Sequence, residues 1–208
     1  TATPLTTMSG HGDSIKGIAY LRGGKRVVSC SNDKTVRIWD MEKGQQEGTS
    51  MVHGNWVCGL AVTRDGKRIL SGGEDKRIRV WDVETPQPIE EWTSHKGDVN
   101  CVLWSLDGSQ LFSASHDRTI RCWNSKTGKS IGEPWRGHTD RVYSLSLSPD
   151  GTKVASASFD QTVRFWDTRS GNPIGLPLQH ASFLYTVDFS PSGEFVTSGG
   201  CDRKISIW

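Results

Sequence analysis

Ser29-Cys-Ser-Asn-Asp-Lys-Thr-Val-Arg-Ile-Trp39 decides how this sequence reads, because its polar skeleton returns four more times along the chain. The skeleton is a Ser, an Asp four residues on and a Trp six beyond that: Ser29/Asp33/Trp39, Ser71/Asp75/Trp81, Ser113/Asp117/Trp123, Ser156/Asp160/Trp166 and Ser198/Asp202/Trp208. A His stands 18 residues before each Ser, at His11, His53, His95, His138 and His180, and successive Trp residues are 42, 42, 43 and 42 apart. A fixed period of this length means one supersecondary unit per repeat, each unable to bury its apolar face without its neighbours.

The unit from His138 to Gln179 shows what each repeat contains. Val142 to Leu147 is a short β-rich run, followed by Ser148-Pro149-Asp150-Gly151, whose Pro, Asp and Gly supply the preset φ, the local side-chain bonding and the positive φ of a tight turn. A second strand over Lys153 to Ser158, a turn at Phe159-Asp160-Gln161, a third strand over Thr162 to Trp166 and a turn at Ser170-Gly171-Asn172 follow. Pro173 to Gln179 reads as a fourth strand with two prolines, which cannot donate to a ladder, so it belongs at an outer edge. No segment carries a helical period.

Four-stranded antiparallel units at this period, with Trp-Asp pairs at Trp39-Asp40, Trp81-Asp82 and Trp166-Asp167 and with Asn in Trp123-Asn124, resemble the WD-repeat β-propeller family over essentially the whole chain. The family's Gly-His dipeptide stands at Gly10-His11 and Gly137-His138, while Val52-His53, Ser94-His95 and Gln179-His180 depart in the Gly. The expected fold is all-β: a propeller of four-stranded antiparallel blades forming a single domain over residues 1–208. Its five repeats cover about 10–51, 52–93, 94–136, 137–178 and 179–208. Residues 1–9, with Pro4 to Ser9 in phase with a fourth strand, are expected to complete the last blade, so that five blades close as a monomeric ring; the rivals are a piece of a larger propeller and self-assembly. The sequence opens at Thr1 rather than Met, as a fragment or a processed chain would.

A His, a Ser and an Asp per unit carry the residue types of a nucleophile triad. Five copies argue instead for an architectural need, since an active site is needed once. The loop entering the first strand and the turn between the second and third lie at one end of an antiparallel unit, so His and Asp meet there. The resemblance implies that His, Ser, Asp and Trp form a hydrogen-bond chain tying loop to turn in each blade. Arg37, Arg79, Arg121 and Arg164 recur two residues before the Trp, and each is expected to lay its stem over apolar surface with its head in water.

In this family the same end is the usual partner-binding face, through the positions three and five after the His and one before the Asp. Here these hold Ser14, Lys16 and Asn32; Trp56, Cys58 and Glu74; Asp98, Asn100 and His116; Arg141, Tyr143 and Phe159; and Phe183, Tyr185 and Cys201. Five of the fifteen are aromatic, against thirteen of the other 193 residues, and four of those five fall in the last two repeats. Aromatics with an Arg among them make a binding hot spot. Trp56, Arg141, Tyr143, Phe159, Phe183 and Tyr185 are therefore the candidate partner-binding residues, and the last five should form one patch. Packing of Tyr143 or Tyr185 into a neighbouring blade is the competing reading.

Composition narrows the remaining classes. A formal charge of +2 on 25 basic and 23 acidic residues, with mixed Lys16, Glu74, Asp98 and Arg141 on the candidate face, argues against nucleic acid and an anionic membrane. No apolar run approaches the roughly 18 residues of a membrane helix. Five cysteines without a C-x-x-C argue against a disulfide framework and a zinc site. Cys30, Cys101 and Cys122 occupy slots held elsewhere by small or apolar residues, as buried thiols in a reducing compartment would; Cys58 and Cys201 fall at variable positions. His116 has no second ligand at metal spacing, and no phosphate-binding loop is present, so neither metal nor cofactor is expected.

The sequence therefore reads as a non-enzymatic, intracellular (cytoplasmic or nuclear) scaffold that binds a protein or peptide on its His-loop face. Residues 128–138 and 171–180 are similar to repeats appended to NACHT-type signalling proteins, which makes a regulatory or sensor module the alternative, with a Ser/His/Asp hydrolase behind it.

Overall fold

The computed structural model describes residues 3–93 and 95–208; Thr1, Ala2 and Ser94, and with them the first two positions of the 1–9 segment and the Ser94 departure from Gly-His, lie outside the described residues. The chain forms two compact units, Thr1–Thr93 and Ser94–Trp208. Their strands follow the repeats, and all ladders are antiparallel.

In the first unit, β1 (Ile15–Tyr20), β2 (Arg26–Ser31), β3 (Thr35–Asp40) and β4 (Gln45–Val52) make one sheet in that order, and β5 (Val57–Val62), β6 (Arg68–Gly73), β7 (Arg77–Asp82) and β8 (Pro88–Thr93) a second. The second unit holds β9 (Val99–Trp104), β10 (Gln110–Ser115), β11 (Ile120–Asn124) and β12 (Ser130–Trp135), then β13 (Val142–Leu147), β14 (Lys153–Ser158), β15 (Thr162–Asp167) and β16 (Pro173–Gln179). It ends with β17 (Leu184–Phe189), β18 (Val196–Gly200) and β19 (Ile205–Ile207), a three-stranded sheet. Each of these sheets is a β-propeller blade, and each fourth strand lies at a sheet edge as the prolines of β16 require. Pro4 to Ser9, expected as a fourth strand, carries no strand among the described residues.

Local chemistry fixes the hairpins. The Asp of each Trp-Asp pair accepts two backbone N–H groups of the turn after it: Asp40 from Glu42 and Lys43, Asp82 from Glu84 and Thr85, Asp167 from Arg169 and Ser170. Only one oxygen is used, which is why Asn124 serves equally, its Oδ1 accepting from Lys126 and Thr127.

Between the sheets of the first unit lies a core of Val28, Cys30, Ile38, Met51, Val57, Ile69 and Trp81. In the second unit Phe112, Cys122, Trp135, Val142, Leu145 and Trp166 form one core, and Ala155, Ala157, Val163, Leu184 and Val187 another. The small residue at Gly17 of β1 is fixed by close approach of β2 and of the first strand of the next blade. A Cβ at Gly17 would sit 3.0 Å from Cys30 Sγ and 3.3 Å from Leu60 Cβ. Cys30 and Cys122 are buried in these cores as the repeat slots suggested, while Cys101 is half-buried and its Sγ accepts the Leu145 N–H at 3.4 Å. Burial pushes the Cys30 thiol up to about 12 and those of Cys101 and Cys122 to about 11.

Candidate functional site

Each blade carries the Trp–Ser–His part of the hydrogen-bond chain the skeleton implies, and the first, third and fourth carry it through to the Asp at short range. In the fourth, Trp166 Nε1 donates to Ser156 Oγ at 2.8 Å, Ser156 Oγ is 2.6 Å from His138 Nε2, and His138 Nδ1 is 2.7 Å from Asp160 Oδ2. The carboxylate also takes the Thr139 N–H, the Thr162 N–H and the Thr162 hydroxyl. Repeats one and three match it through Trp39/Ser29/His11/Asp33 and Trp123/Ser113/His95/Asp117. Burial pushes Asp160 up and its donors, His138 first, pull it down further, so it stays ionised well below the usual carboxylate range. Burial also lowers His138 against the opposing pull of Asp160, and the ring stays neutral, donating from Nδ1. The constellation has the bonding of a nucleophile triad, yet Ser156 is fully buried and its oxygen accepts the indole N–H, so no substrate carbonyl can reach it.

Two repeats depart from the pattern, and a residue outside the skeleton explains both. Thr35, Thr119 and Thr162 sit two residues after the Asp and donate their hydroxyls to it at 2.6, 2.6 and 2.7 Å, which orients the carboxylate towards the His. That slot holds Arg77 in the second repeat and Lys204 in the fifth. In the second, Arg79 takes over: its Nη1 is 2.6 Å from both His53 Nδ1 and Asp75 Oδ2, and its Nε donates to Glu91 at 2.8 Å. His53 Nδ1 keeps only long contacts to Asp75, 3.3 Å to Oδ2 and 3.5 Å to Oδ1, while its Nε2 is 2.7 Å from Ser71 Oγ. In the fifth, nothing replaces the hydroxyl. His180 meets Ser198 and Trp208 meets Ser198, both at 2.9 Å, but among the described residues Asp202 makes no hydrogen bond to His180 and accepts the Lys204 N–H alone.

The recurrent arginines also differ from the expectation of solvated heads. Arg79 is buried, and Arg37 donates to Thr35, Gln46 and Asp33. The Arg37 and Arg164 heads lie over the glycines of the two Gly-His pairs, where a Cβ would meet Arg37 Nη1 at 3.0 Å and Arg164 Nη1 at 3.2 Å.

At the same end of the blades, two repeated devices present the candidate binding residues. The residue before each Asp donates its N–H to the carbonyl three after the His: Asn32 to Ser14, Glu74 to Trp56, His116 to Asp98, Phe159 to Arg141 and Cys201 to Phe183, at 2.9–3.0 Å. The residue five after the His is the one the first-strand ladder skips, a β-bulge at Lys16, Cys58, Asn100, Tyr143 and Tyr185. A bulge bends its strand and re-aims the bulged side chain.

In the second unit these devices bring four of the predicted aromatics together. Phe159 stacks on Tyr143 with centroids 4.2 Å apart and on Phe183 at 5.0 Å. Tyr185 stands edge-on to Tyr143 at 5.6 Å and to Phe159 at 5.3 Å. His116, tied through Nδ1 to Asp98 at 2.9 Å, extends the row to 5.4 Å from Tyr143. Phe183 and Tyr185 remain 43% and 50% exposed, Tyr143 and Phe159 half-buried, and Arg141 exposed beside Phe159. Trp56 is an exposed residue of the first unit. Among the described residues no group of His, Cys, Asp or Glu is arranged to hold a metal, and no helix is long and apolar enough to cross a membrane.

The chain is similar over short stretches to WD repeat-containing protein 89 homolog of Dictyostelium discoideum (44% identical over 43 residues, 21% of this chain and 12% of that protein). It is similar also to vegetative incompatibility protein HET-E-1 of Podospora anserina (47% over 38 residues, 18% and 3%) and to nuclear distribution protein PAC1 of Yarrowia lipolytica (42% over 41 residues, 20% and 9%). These matches therefore span a small part of each relative's length. The family model described as WD domain, G-beta repeat matches residues 2–40, 44–82, 86–124, 128–167 and 171–208, one Trp at or near the end of each, and the chain belongs to that family.

Proposed function

We propose that this chain is a non-catalytic scaffold that binds a protein or peptide segment at the His-loop end of its blades, anchored by Tyr143, Phe159, Phe183 and Tyr185, bordered by Arg141, with Trp56 as a further contact. WD-repeat proteins generally serve as protein-interaction scaffolds, and the blades here keep their polar chains for internal bonding. The observation that carries the reading is the ring cluster itself: four aromatics from two adjacent blades in contact, two of them at strand bulges and two of them about half exposed. Exposed aromatics have no architectural role that would balance their contact with water, and they are the residues from which interface hot spots are built. The protein acts as a monomer in a reducing, cytoplasmic or nuclear compartment, which suits its buried thiols.

Selection of binders from a random peptide library tests this, followed by Phe183→Ala and Tyr185→Ala, with Lys16→Ala as control. Loss of about tenfold or more in affinity, at unchanged melting temperature, is expected for the two aromatic changes and not for Lys16→Ala. Binding indifferent to both aromatic changes would refute the placement.

The HET-E-1 match, together with the similarity of residues 128–138 and 171–180 to repeats of NACHT-type proteins, favours a second reading, a sensor module of a larger signalling protein. A longer transcript encoding an upstream phosphate-binding loop would decide for it.

A further inference from the structure

Among the described residues, His53 alone has a guanidinium nitrogen within hydrogen-bonding distance of its ring. In the first and third blades the His Nδ1 lies 2.7 and 2.8 Å from the Asp carboxylate, so a ring carrying both protons would still meet an acceptor there. His53 Nδ1 instead faces Arg79 Nη1 at 2.6 Å, with Asp75 no closer than 3.3 Å. Neither a guanidinium nor an imidazolium offers a lone pair, so a doubly protonated His53 cannot keep this contact. Two cations would meet where His53 is 3% and Arg79 8% exposed, with little water to screen them. Asp75 is the one carboxylate against the ring, and its Oδ2 already takes Arg79 Nη1 at 2.6 Å and the Gly54 N–H at 2.9 Å. The remaining neighbours are neutral: Ser71 Oγ is 2.7 Å from Nε2, and the Trp81 ring stands 5.9 Å from the imidazole.

Which partner yields follows from what holds each. Arg79 is held by Asp75 and, through Nε, by Glu91, which also pairs with Arg77. The His53 ring has only Ser71 besides, and the loop it begins is lightly fastened: the Gly54 N–H to Asp75 is an exposed bond, and Asn55 Nδ2 reaches Glu74 at 3.3 Å. We infer that acid opens the loop from His53 to Trp56 by driving the His53 ring away from Arg79, while the equivalent loops of the first and third blades stay closed, and that the opening withdraws Trp56 from a bound partner. The withdrawal rests on the reading of Trp56 as a contact; the opening does not. Burial holds the closed ring below its ordinary 6.5, with Asp75 opposing and Arg79 adding to the effect. The opened ring takes up the proton that the closed one refuses, so below that pH the opening grows up to about tenfold per pH unit.

Amide hydrogen exchange resolved by NMR tests the opening on the full chain, because one equivalent bond reports on each loop: the N–H groups of Gly12, Gly54 and Lys96 to Asp33, Asp75 and Asp117. Protection factors, corrected for the intrinsic pH dependence of exchange, are compared at pH about 7 and about 5. Gly54 is expected to lose about tenfold or more in protection relative to Gly12 and Lys96, and His53→Gln, which cannot titrate, should abolish that difference. Equal changes at the three amides, an unchanged Gly54, or an acid response that survives in His53→Gln would each overturn the opening; the comparison within the unsubstituted chain stands even if the variant fails to fold. A peptide without titratable groups, selected from a library at neutral pH, reads the second part by fluorescence anisotropy. Binding that weakens in acid for the unsubstituted chain and not for His53→Gln supports the withdrawal of Trp56. Equal binding at both pH values alongside a Gly54 opening would overturn Trp56 as a contact and leave the opening standing.

Discussion

Asp160 and Asp202 occupy the same place in the repeat, and the structure makes them unequal by several kcal/mol. Asp160 accepts four hydrogen bonds: from His138 Nδ1, from the N–H groups of Thr139 and Thr162, and from the Thr162 hydroxyl. Asp160→Ala leaves all four donors without that partner. The Thr139 N–H lies in an exposed bond and can turn to water. The other three lie in part-buried bonds, where an unsatisfied donor costs about 1–3 kcal/mol, and water entering the vacated space offsets some of that. A net loss of about 3–5 kcal/mol follows, a large share of the 5–15 kcal/mol that holds a typical domain folded. Asp202 accepts one exposed backbone N–H, and Asp202→Ala should cost about 1 kcal/mol or less. Urea unfolding followed by tryptophan fluorescence reads both as shifts in midpoint, with Asp160→Asn, which keeps one acceptor oxygen, falling between them. Equal losses at the two positions, or a loss below about 1 kcal/mol at Asp160, would refute the claim that hydrogen-bond count on the carboxylate sets its contribution.

Stability should also fall with acid in two stages. His53, His138 and His180 are held below their ordinary 6.5 by burial, so the unfolded chain binds protons that the native chain refuses; the midpoint should be flat above that pH and decline below it. Asp117 and Asp160, held below their ordinary 3.8 with burial opposed by their donors, contribute stability present above that pH and lost as the pH falls further, giving a second, steeper decline. Alkylation mapped by mass spectrometry should label exposed Cys201 in the native protein at neutral pH and spare Cys30, Cys101 and Cys122 until urea is added. Asn124→Asp should leave the urea midpoint within about 0.5 kcal/mol, because the turn uses a single side-chain oxygen. Phe183→Ala should change stability little, whereas Tyr143→Ala, whose ring lies 4.2 Å from Phe159, should lower it measurably by calorimetry through the lost stacking.

The blades and the Ser/His/Asp/Trp chain were legible in the sequence because the repeat states the same constraint five times, and local turn chemistry repeats with it. What resisted reading was anything carried by a residue that varies among repeats. The carboxylate-orienting hydroxyl belongs to Thr35, Thr119 and Thr162, and its replacement by Arg77 and Lys204 looks conservative on a solvent-facing turn until the donors on the Asp are counted. Arg79 fell to the opposite error. It shares its slot with Arg37, Arg121 and Arg164, but with no Thr beside Asp75 the guanidinium is drawn inward, burying a charge that composition would leave in water. The segment Pro4 to Ser9 has the phase of a strand, but phase alone supplies no ladder partner.

The binding slots show the same division between pattern and content. Which positions face outward follows from backbone devices common to all five repeats, the bulge five residues after the His and the hydrogen bond to the carbonyl three after it. Such devices are blind to the side chain they carry, so the same bulge holds Lys16 exposed, Asn100 bonded to the Val142 carbonyl, and Tyr143 and Tyr185 in the ring cluster. The scaffold is therefore under constraint to hold its frame while the presented residues are free to differ, and a concentration of aromatics on two neighbouring blades is not something the frame requires. Apolar rings held half in water are what the proposed partner contact accounts for, and the more regular polar chain beneath them, spent on internal bonds, does not.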